Sequence, residues 1–175
     1  SVEQIIEQRS RLSPEQLLAD HQKNNPDFFT PADPDYPQLL LETPAPPAVL
    51  YYQGQLNPQE MQGSKPLISI VGTRSPSEYG KKWTKKITTA LVQHGYTIVS
   101  GLAAGIDTQA HRSCLEAGGR TLGILGTGLD ITYPAENYQL YQQVKQQGAI
   151  LTEYPKGTQP DRGNFPARNR IVAGL

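Results

Sequence analysis

Glycines and cations recur together beyond residue 65, in positions where they could bind an anion. Four short apolar runs are each followed by a loop that contains glycine, and these loops are GTRSPSEYG (72–80), GLAAGID (101–107), GTGLDITYPAEN (126–137) and YPKGTQPDRGNFPARN (154–169). Five cations lie in or just after the first and fourth loops, namely Arg74, Lys156, Arg162, Arg168 and Arg170. Arginine can bind two phosphate oxygens at once, and glycine lets backbone amides approach a ligand closely. The pattern therefore predicts a site for a phosphate-bearing ligand.

The elements that would position these loops alternate between short strands and helices. Apolar runs predict strands at 67–71, 96–100, 121–125 and 149–153, and amphipathic stretches predict helices at about 77–94, 106–117 and 135–147. This alternation predicts an α/β fold in which a parallel sheet has helices on both faces. Right-handed crossovers bring every strand-to-helix loop to the carboxyl edge of such a sheet. With the strand order 3-2-1-4, the first and fourth loops would flank the crevice at which the order reverses.

Two segments of different composition precede this region. Residues 1–24 predict short helices, and SPEQLLADHQ (13–22) has a capping-box pattern with Ser13 as the N-cap. Residues 25–65 are so rich in proline that we expect an extended belt without helix, in which AVLYY (48–52) forms an edge strand. The predicted organisation is a helical segment at 1–24, an extended lead-in at 25–65 and a ligand-binding domain at 66–175.

Composition narrows the possible classes of protein. The single cysteine, Cys114, excludes a disulfide framework and a multi-cysteine zinc site. No apolar run reaches the length of a membrane span, about 18 residues, so we expect a cytoplasmic protein. Residues 1–60 contain nine acidic and three basic residues, whereas residues 61–175 contain seven acidic and thirteen basic ones. This asymmetry is compatible with an anionic partner for the basic part and equally with an ordinary solvated surface.

Other chemistries at the same loops are less well supported. Asp107 and His111 are one helical turn apart and could form an acid–base or metal-binding pair, but such an aspartate more often caps its helix while the histidine packs locally. We therefore predict no metal site and no catalytic residue. The sequence has neither a G-x-G-x-x-G after its first strand nor a GxxxxGK[ST] motif, so we expect no nucleotide cofactor. Some of the five cations could instead pair with Glu153, Asp107 or Asp130 and tie loops together.

Several segments together resemble one known family. They are VGTR (71–74), SGLAAGID (100–107), GTGLDITYPAEN (126–137), LTEYPKGTQP (151–160), FPARNRIVAGL (165–175) and the upstream DYPQLLLETPAPPAVLYYQG (35–54). These segments are similar to the DNA-processing protein A family, DprA, also called Smf. The resemblance implies a Rossmann-like domain that binds single-stranded DNA and, in the parent protein, loads the RecA recombinase during natural transformation. It also implies no established catalytic activity and no cofactor.

The resemblance also assigns site residues. Arg74 would hold a DNA phosphate, the loop from Ser100 to Gly105 would offer backbone amides, and Phe165 would touch bases in a pocket shared with Lys156, Arg168 and Asn169. The full predicted DNA-binding set is Gly72, Arg74, Ser100, Gly101, Ala103, Gly105, Lys156, Phe165, Arg168 and Asn169. Arg168 and Arg170 are roughly 200° apart around a helix, so we expect Arg170 to brace a loop through Glu153 instead.

Family members continue beyond RNRIVAGL, and the resemblance places self-association and the RecA contact in that later half. We therefore expect this chain to be a fragment whose parent forms the homodimer. Two alternatives remain. One is an enzyme of the nucleoside monophosphate phosphoribohydrolase type on a related scaffold, although its P-G-G-x-G-T motif is not found here. The other is an interaction domain whose basic edge is incidental.

Overall fold

The computed structural model describes residues 2–10 and 12–175, which form eight α-helices and six strands. The helices are α1 (Val2–Ser10), α2 (Pro14–Asn24), α3 (Gln38–Leu41), α4 (Pro58–Met61), α5 (Glu78–Gln93), α6 (Ile106–Glu116), α7 (Tyr138–Gln147) and α8 (Asn164–Gly174). The strands are β1 (Phe28–Phe29), β2 (Leu50–Gly54), β3 (Leu67–Ser69), β4 (Thr97–Ser100), β5 (Thr121–Ile124) and β6 (Ala149–Thr152). The strands and helices predicted beyond residue 65 are all present, with a 3-10 turn at Ala135–Asn137 ahead of α7.

The six strands form one sheet in the order β1-β2-β6-β5-β4-β3. Strands β3 to β6 are parallel, and β2 is antiparallel to β6, with Tyr51 opposite Thr152. The order 3-2-1-4, the condition on which the first and fourth loops would flank a crevice, is not found, because the four parallel strands lie side by side in chain order. The predicted strand at 48–52 forms as β2, but β1 pairs with its outer side, so β2 is not at the edge. Alternating apolar residues mark a strand without specifying its neighbour, which explains both differences.

The strands bury both of their faces, as a parallel sheet requires. Ile98 and Ile150 point towards one face, where they pack in the clusters that include residues of α6 and α7. Their neighbours Val99 and Leu151 point to the other face and pack in the largest cluster, with α8 and the lead-in. Helices therefore cover both faces, as predicted, and α8 lies on the face opposite to α5, α6 and α7.

The proline-rich segment is more structured than its composition suggests. The prediction that it contains no helix is wrong, because α3 forms in a stretch without proline and α4 begins at Pro58, where proline is tolerated. Asn57 caps α4 by accepting a hydrogen bond from the backbone amide of Gln59 at 3.0 Å. Tyr36 is fully buried, and its hydroxyl donates to the carbonyl of Pro47 at 2.8 Å. The lead-in is thus packed firmly against the sheet.

The N-terminal helices are attached mainly by polar and aromatic contacts. Ser13 caps α2 as predicted, but the reciprocal bond of a capping box is absent because the Gln16 side chain donates to Asp20. The Tyr51 hydroxyl lies 2.9 Å from His21 Nε2, which connects α2 to β2. The large apolar side chains of this segment are at least half exposed, namely Val2, Ile5, Ile6, Leu12, Leu17 and Leu18. Among the described residues, no helix is long and apolar enough to cross a bilayer.

Candidate functional site

Helix α8 brings the first and fourth loops together although their strands are not neighbours. From the end of β6 the chain turns back, and α8 crosses towards β3, where the Ser69 hydroxyl donates to the Val172 carbonyl. The first turn of α8 therefore lies above the carboxyl ends of β4 and β5. As a result, Phe165 at the start of α8 lies next to Arg74 in the first loop.

A groove of about 720 Å³ opens between these segments, and we call it the central groove. Its lining is Ser69, Val71, Gly72, Arg74, Ala103, Asp107, Tyr133, Arg162, Phe165, Pro166, Arg168, Asn169, Val172 and Ala173. Six residues of the predicted DNA-binding set are among them: Gly72, Arg74, Ala103, Phe165, Arg168 and Asn169. Gly101 lies beside them in a smaller adjoining pocket that shares Arg74 and Phe165.

Arg74 is available to a ligand in the groove. It is exposed, and no ion pair links it to a carboxylate among residues 2–10 and 12–175. Its guanidinium carbon lies 5.5 Å from the centre of the Phe165 ring, close enough for a cation–π interaction. Tyr133 is an aromatic neighbour of Phe165. The centres of the two rings are 5.3 Å apart and their planes are tilted by 32°. Phe165 thus lies next to both the Arg74 guanidinium and the Tyr133 ring.

Arg168 has a very different environment. It is only 4 % exposed, and its Nη1 donates to the Gly101 carbonyl at 2.7 Å and to the Ile124 carbonyl. Burial lowers its pKa, an effect opposed by the attraction of Asp107. These contacts make Arg168 a brace between the ends of β4 and β5. The phosphate contact predicted for it remains a prediction.

Asp107 also holds Gly101, the residue whose carbonyl Arg168 binds. Its Oδ2 accepts a hydrogen bond from the backbone amide of Gly101 at 3.1 Å, while Arg168 holds the Gly101 carbonyl. Burial raises the pKa of Asp107, and the positive charge of Arg168 opposes that rise. A Cβ atom on Gly101 would lie 2.5 Å from Arg168 Nη2, so a larger residue here would displace the guanidinium. The start of the second loop is therefore held in place by two buried side chains of opposite charge, each bound to the Gly101 backbone.

The rest of the second loop is fixed by unusual backbone geometry and one buried amide. Leu102 has a φ of 55° although it is not glycine, and Gly105 has a φ of 86°. A Cβ atom on Gly105 would collide with the Thr73 carbonyl, because this loop approaches the first one closely at that point. The Asn137 side chain donates to the Leu102 carbonyl at 3.0 Å and to the Thr108 hydroxyl at 2.8 Å. The Asn137 contact was not predictable from the sequence, because Leu102 lies in a neighbouring loop 35 residues away.

Arg170 points away from the groove and braces a loop, as predicted. Its Nη1 donates to Glu153 Oε1 at 2.6 Å, and its Nη2 to Oε2 at 2.5 Å. Its Nε also donates to the Ala45 carbonyl at 2.9 Å. The interpretation that some of the cations tie loops together is therefore correct for Arg170, which also fastens the lead-in.

Three other predicted residues do not line the central groove. Ser100 is fully buried in β4, where its hydroxyl donates to the Ile70 carbonyl at 2.6 Å. Lys156 lies in a separate cleft, which Asp130 also lines and Arg74 does not. Its backbone amide donates to Asn25 Oδ1 at 2.9 Å. The structure does not bring Lys156 into the groove that Arg74 lines, because the fourth loop turns towards β2 before it returns at α8, and the DNA contact predicted for Lys156 remains a prediction. Gly105 lines a third cleft, described below.

His111 packs in the interior and does not pair with Asp107. Its Nδ1 lies 2.8 Å from the Thr121 hydroxyl, and the side chain is fully buried. Burial lowers the pKa of His111 to about 3, so the imidazole is neutral at ordinary pH. Among the described residues, no group of three or more acidic, histidine or cysteine side chains could hold a metal ion.

Comparisons with known proteins identify the family. The sequence model of the family described as DNA recombination-mediator protein A matches residues 27–175. Protein Smf of Synechocystis sp. is 60 % identical over 174 residues, which is 99 % of this chain and 44 % of that protein. The DNA processing protein DprA of Streptococcus pneumoniae is 42 % identical over 147 residues, covering 84 % of this chain and 50 % of that protein.

Solved structures give the same result. The X-ray structure of DprA from Streptococcus pneumoniae matches with a TM-score of 0.84 and 38 % identity, over 97 % of this chain and 57 % of that one. A structure of DprA from Helicobacter pylori, described as giving insight into its single-stranded DNA binding mode, matches with a TM-score of 0.73 and 33 % identity, over 84 % and 65 % of the two chains. The chain therefore belongs to the DprA/Smf family and has its Rossmann-like fold. It spans about half the length of the curated relatives it matches.

Proposed function

We propose that the central groove binds single-stranded DNA by capturing phosphates at the carboxyl edge of the sheet. The observation that carries this proposal is the exposed guanidinium of Arg74, which lies against Phe165. Arg162 adds a second cation to the same groove. The Helicobacter pylori relative, whose binding of single-stranded DNA is described, supports the choice of ligand.

The groove divides the ligand between two kinds of contact. Arg74 would pair with phosphate oxygens, because its guanidinium has no carboxylate partner to give up before it binds a phosphate. The faces of Phe165 and Tyr133 would stack against bases, an interaction that tolerates any base because every base has a π-face. Binding of this kind is sequence-independent and weakens as salt rises, because bound cations on DNA are released.

The proposal assigns binding and no catalysis to this edge of the sheet. Asp107 is occupied by Gly101 and faces Arg168, and His111 is neutral and buried. In the intact protein, we further propose that the bound strand is handed to the RecA recombinase during natural transformation and that the protein acts as a homodimer. The description of the family as a recombination mediator supports that wider role.

A fluorescence titration tests the binding proposal. A labelled dT oligomer is titrated with the intact protein and with Arg74→Ala at two salt concentrations. We expect the variant to bind at least about tenfold more weakly, which corresponds to about 1.4 kcal/mol, and to show a shallower salt dependence. Lys145→Ala is the matched control, because Lys145 lies on α7 over the ring of Tyr141 and outside the groove.

Three results would count against the proposal. The first is negligible binding by the unmodified protein at low salt, and the second is equal binding by Arg74→Ala. The third is release of free base from a nucleoside monophosphate, which would favour the phosphoribohydrolase alternative.

A further inference from the structure

A second basic cleft adjoins the central groove on the far side of Arg74. It has a volume of about 410 Å³ and lies between the N-terminal parts of α5 and α6, and we call it the lateral cleft. Its charged lining residues are Arg74, Lys81 and Arg112, with Ser75, Thr108 and Gln109 beside them. Arg74 therefore lines both openings.

The charge of the lateral cleft is positive without a compensating acid in its lining. Arg112 is exposed and has no ion pair within the part of the chain that the structure describes. Lys81 is 2.7 Å from Glu78, but Glu78 is 87 % exposed, and such surface pairs contribute little. Asp107, also on α6, is turned inward to the Gly101 amide.

The other acid on the two facing helices is also occupied. Glu116 lies one turn beyond Arg112 on α6 and pairs with Lys85 of α5 at 2.7 Å. The polar groups of the cleft are largely engaged as well, since the Thr108 hydroxyl donates to Ala103 and the Gln109 side-chain amide to Ser113. The binding capacity of the cleft thus resides in its two guanidinium groups and one ammonium group. Such a set suits the oxygens of a phosphate.

We propose that the lateral cleft is a second phosphate subsite, in which Arg112 and Lys81 hold the sugar–phosphate backbone of the DNA strand after it passes Arg74. The inference rests on the proposed function of the central groove, because it extends the path of the same strand. A strand that crosses Arg74 leaves the aromatic rings and enters a region with cations and no exposed ring in its lining. The second subsite would therefore grip the backbone alone and leave its bases in solvent.

The subsite is tested by oligomer length and salt. Labelled dT oligomers of graded length are titrated with the intact protein and with Arg112→Ala, Arg112→Lys and Lys82→Ala. Arg112→Ala should bind long oligomers about three- to tenfold more weakly and reduce the salt slope by about one, while the shortest oligomers that bind are unaffected. Arg112→Lys should recover part of the loss. Lys82→Ala is the control, because Lys82 is exposed on α5 next to Lys81 but does not line the cleft.

The outcomes separate the two proposals. If Arg112→Ala binds every length as the unmodified protein does while Arg74→Ala is impaired, the second subsite is refuted and the central groove stands. If Arg112→Ala weakens short and long oligomers equally, the cleft is not an extension of the strand path and the inference also fails. If Arg74→Ala is unimpaired, the proposed function itself fails. Arg112 is exposed, so circular dichroism should show a folded protein for each variant.

Discussion

The first strand-to-helix loop and the start of α8 meet at the same groove, yet their arginines have opposite surroundings. Arg74 is exposed and touches an aromatic ring, whereas Arg168 is 4 % exposed and donates to two carbonyls at strand ends. Arg170 is different again, since a carboxylate already neutralises it. A count of cations near a groove therefore overstates its capacity for phosphate. Only a guanidinium that has kept its N–H groups free can bind a ligand without first breaking a structural contact.

The largest effect on stability should come from replacing Arg168, the buried arginine. Arg168→Ala leaves the carbonyls of Gly101 and Ile124 without their donor and leaves Asp107 buried without its opposing charge. We expect the free energy of unfolding to fall by about 3 kcal/mol, measured by denaturant titration. A loss below about 0.5 kcal/mol would mean that Arg168 is not a brace.

Replacing Arg170, the arginine that is paired with Glu153, should have a smaller effect on stability. Arg170→Ala breaks a partly buried ion pair with Glu153 and a hydrogen bond to the Ala45 carbonyl, and we expect a loss of about 1 kcal/mol in the free energy of unfolding. The double variant Arg170→Ala with Glu153→Gln removes the unpaired carboxylate and should regain part of that loss. Equal stability of the single variant and the unmodified protein would show that the lead-in is held by its apolar contacts alone.

The buried region should also respond to pH in a way that the exposed loop does not. The pKa of His111 is lowered from 6.5 to about 3 in the fold, first by burial and also by the charge of Arg168. The unfolded chain therefore binds a proton that the folded chain does not, and this stability is complete above pH 6.5 and is lost as the pH falls towards 3.

His111→Gln should make the decline in stability between these pH values shallower, by at most about 1.4 kcal/mol per pH unit. Denaturant titrations at several pH values measure this slope. Identical slopes for the variant and the unmodified protein would contradict the assignment. Arg74→Ala is the matched control and should leave the slope unchanged.

The comparison also shows what the sequence could predict. The strands and long helices were predictable because apolar periodicity and glycine stops are local signals. The Arg170–Glu153 pair was predictable from helix geometry, since Arg168 and Arg170 had to diverge. The strand order was not, because pleat alternation is the same whichever strand lies alongside.

The burial of Arg168 could not be predicted from the sequence either, for a different reason. Its partners are backbone carbonyls at the ends of β4 and β5, and every residue has a carbonyl, so no residue type marks them. The separation of Lys156 from Arg74 depends on the path of the segment between β6 and α8, which composition does not determine. Arg112 was missed because it lies on a helix face and outside any glycine loop.

One measurement tests most directly the claim that Arg74 binds and does not brace. The free energy of unfolding is determined for the intact protein and for Arg74→Ala, each with and without a dT oligomer at about 100 times its dissociation constant for the unmodified protein. Without DNA, the two proteins should differ by no more than about 0.5 kcal/mol. With DNA, the unmodified protein should gain about 2.7 kcal/mol and the variant clearly less. Equal gains, or a variant that is already destabilised without DNA, would contradict the account.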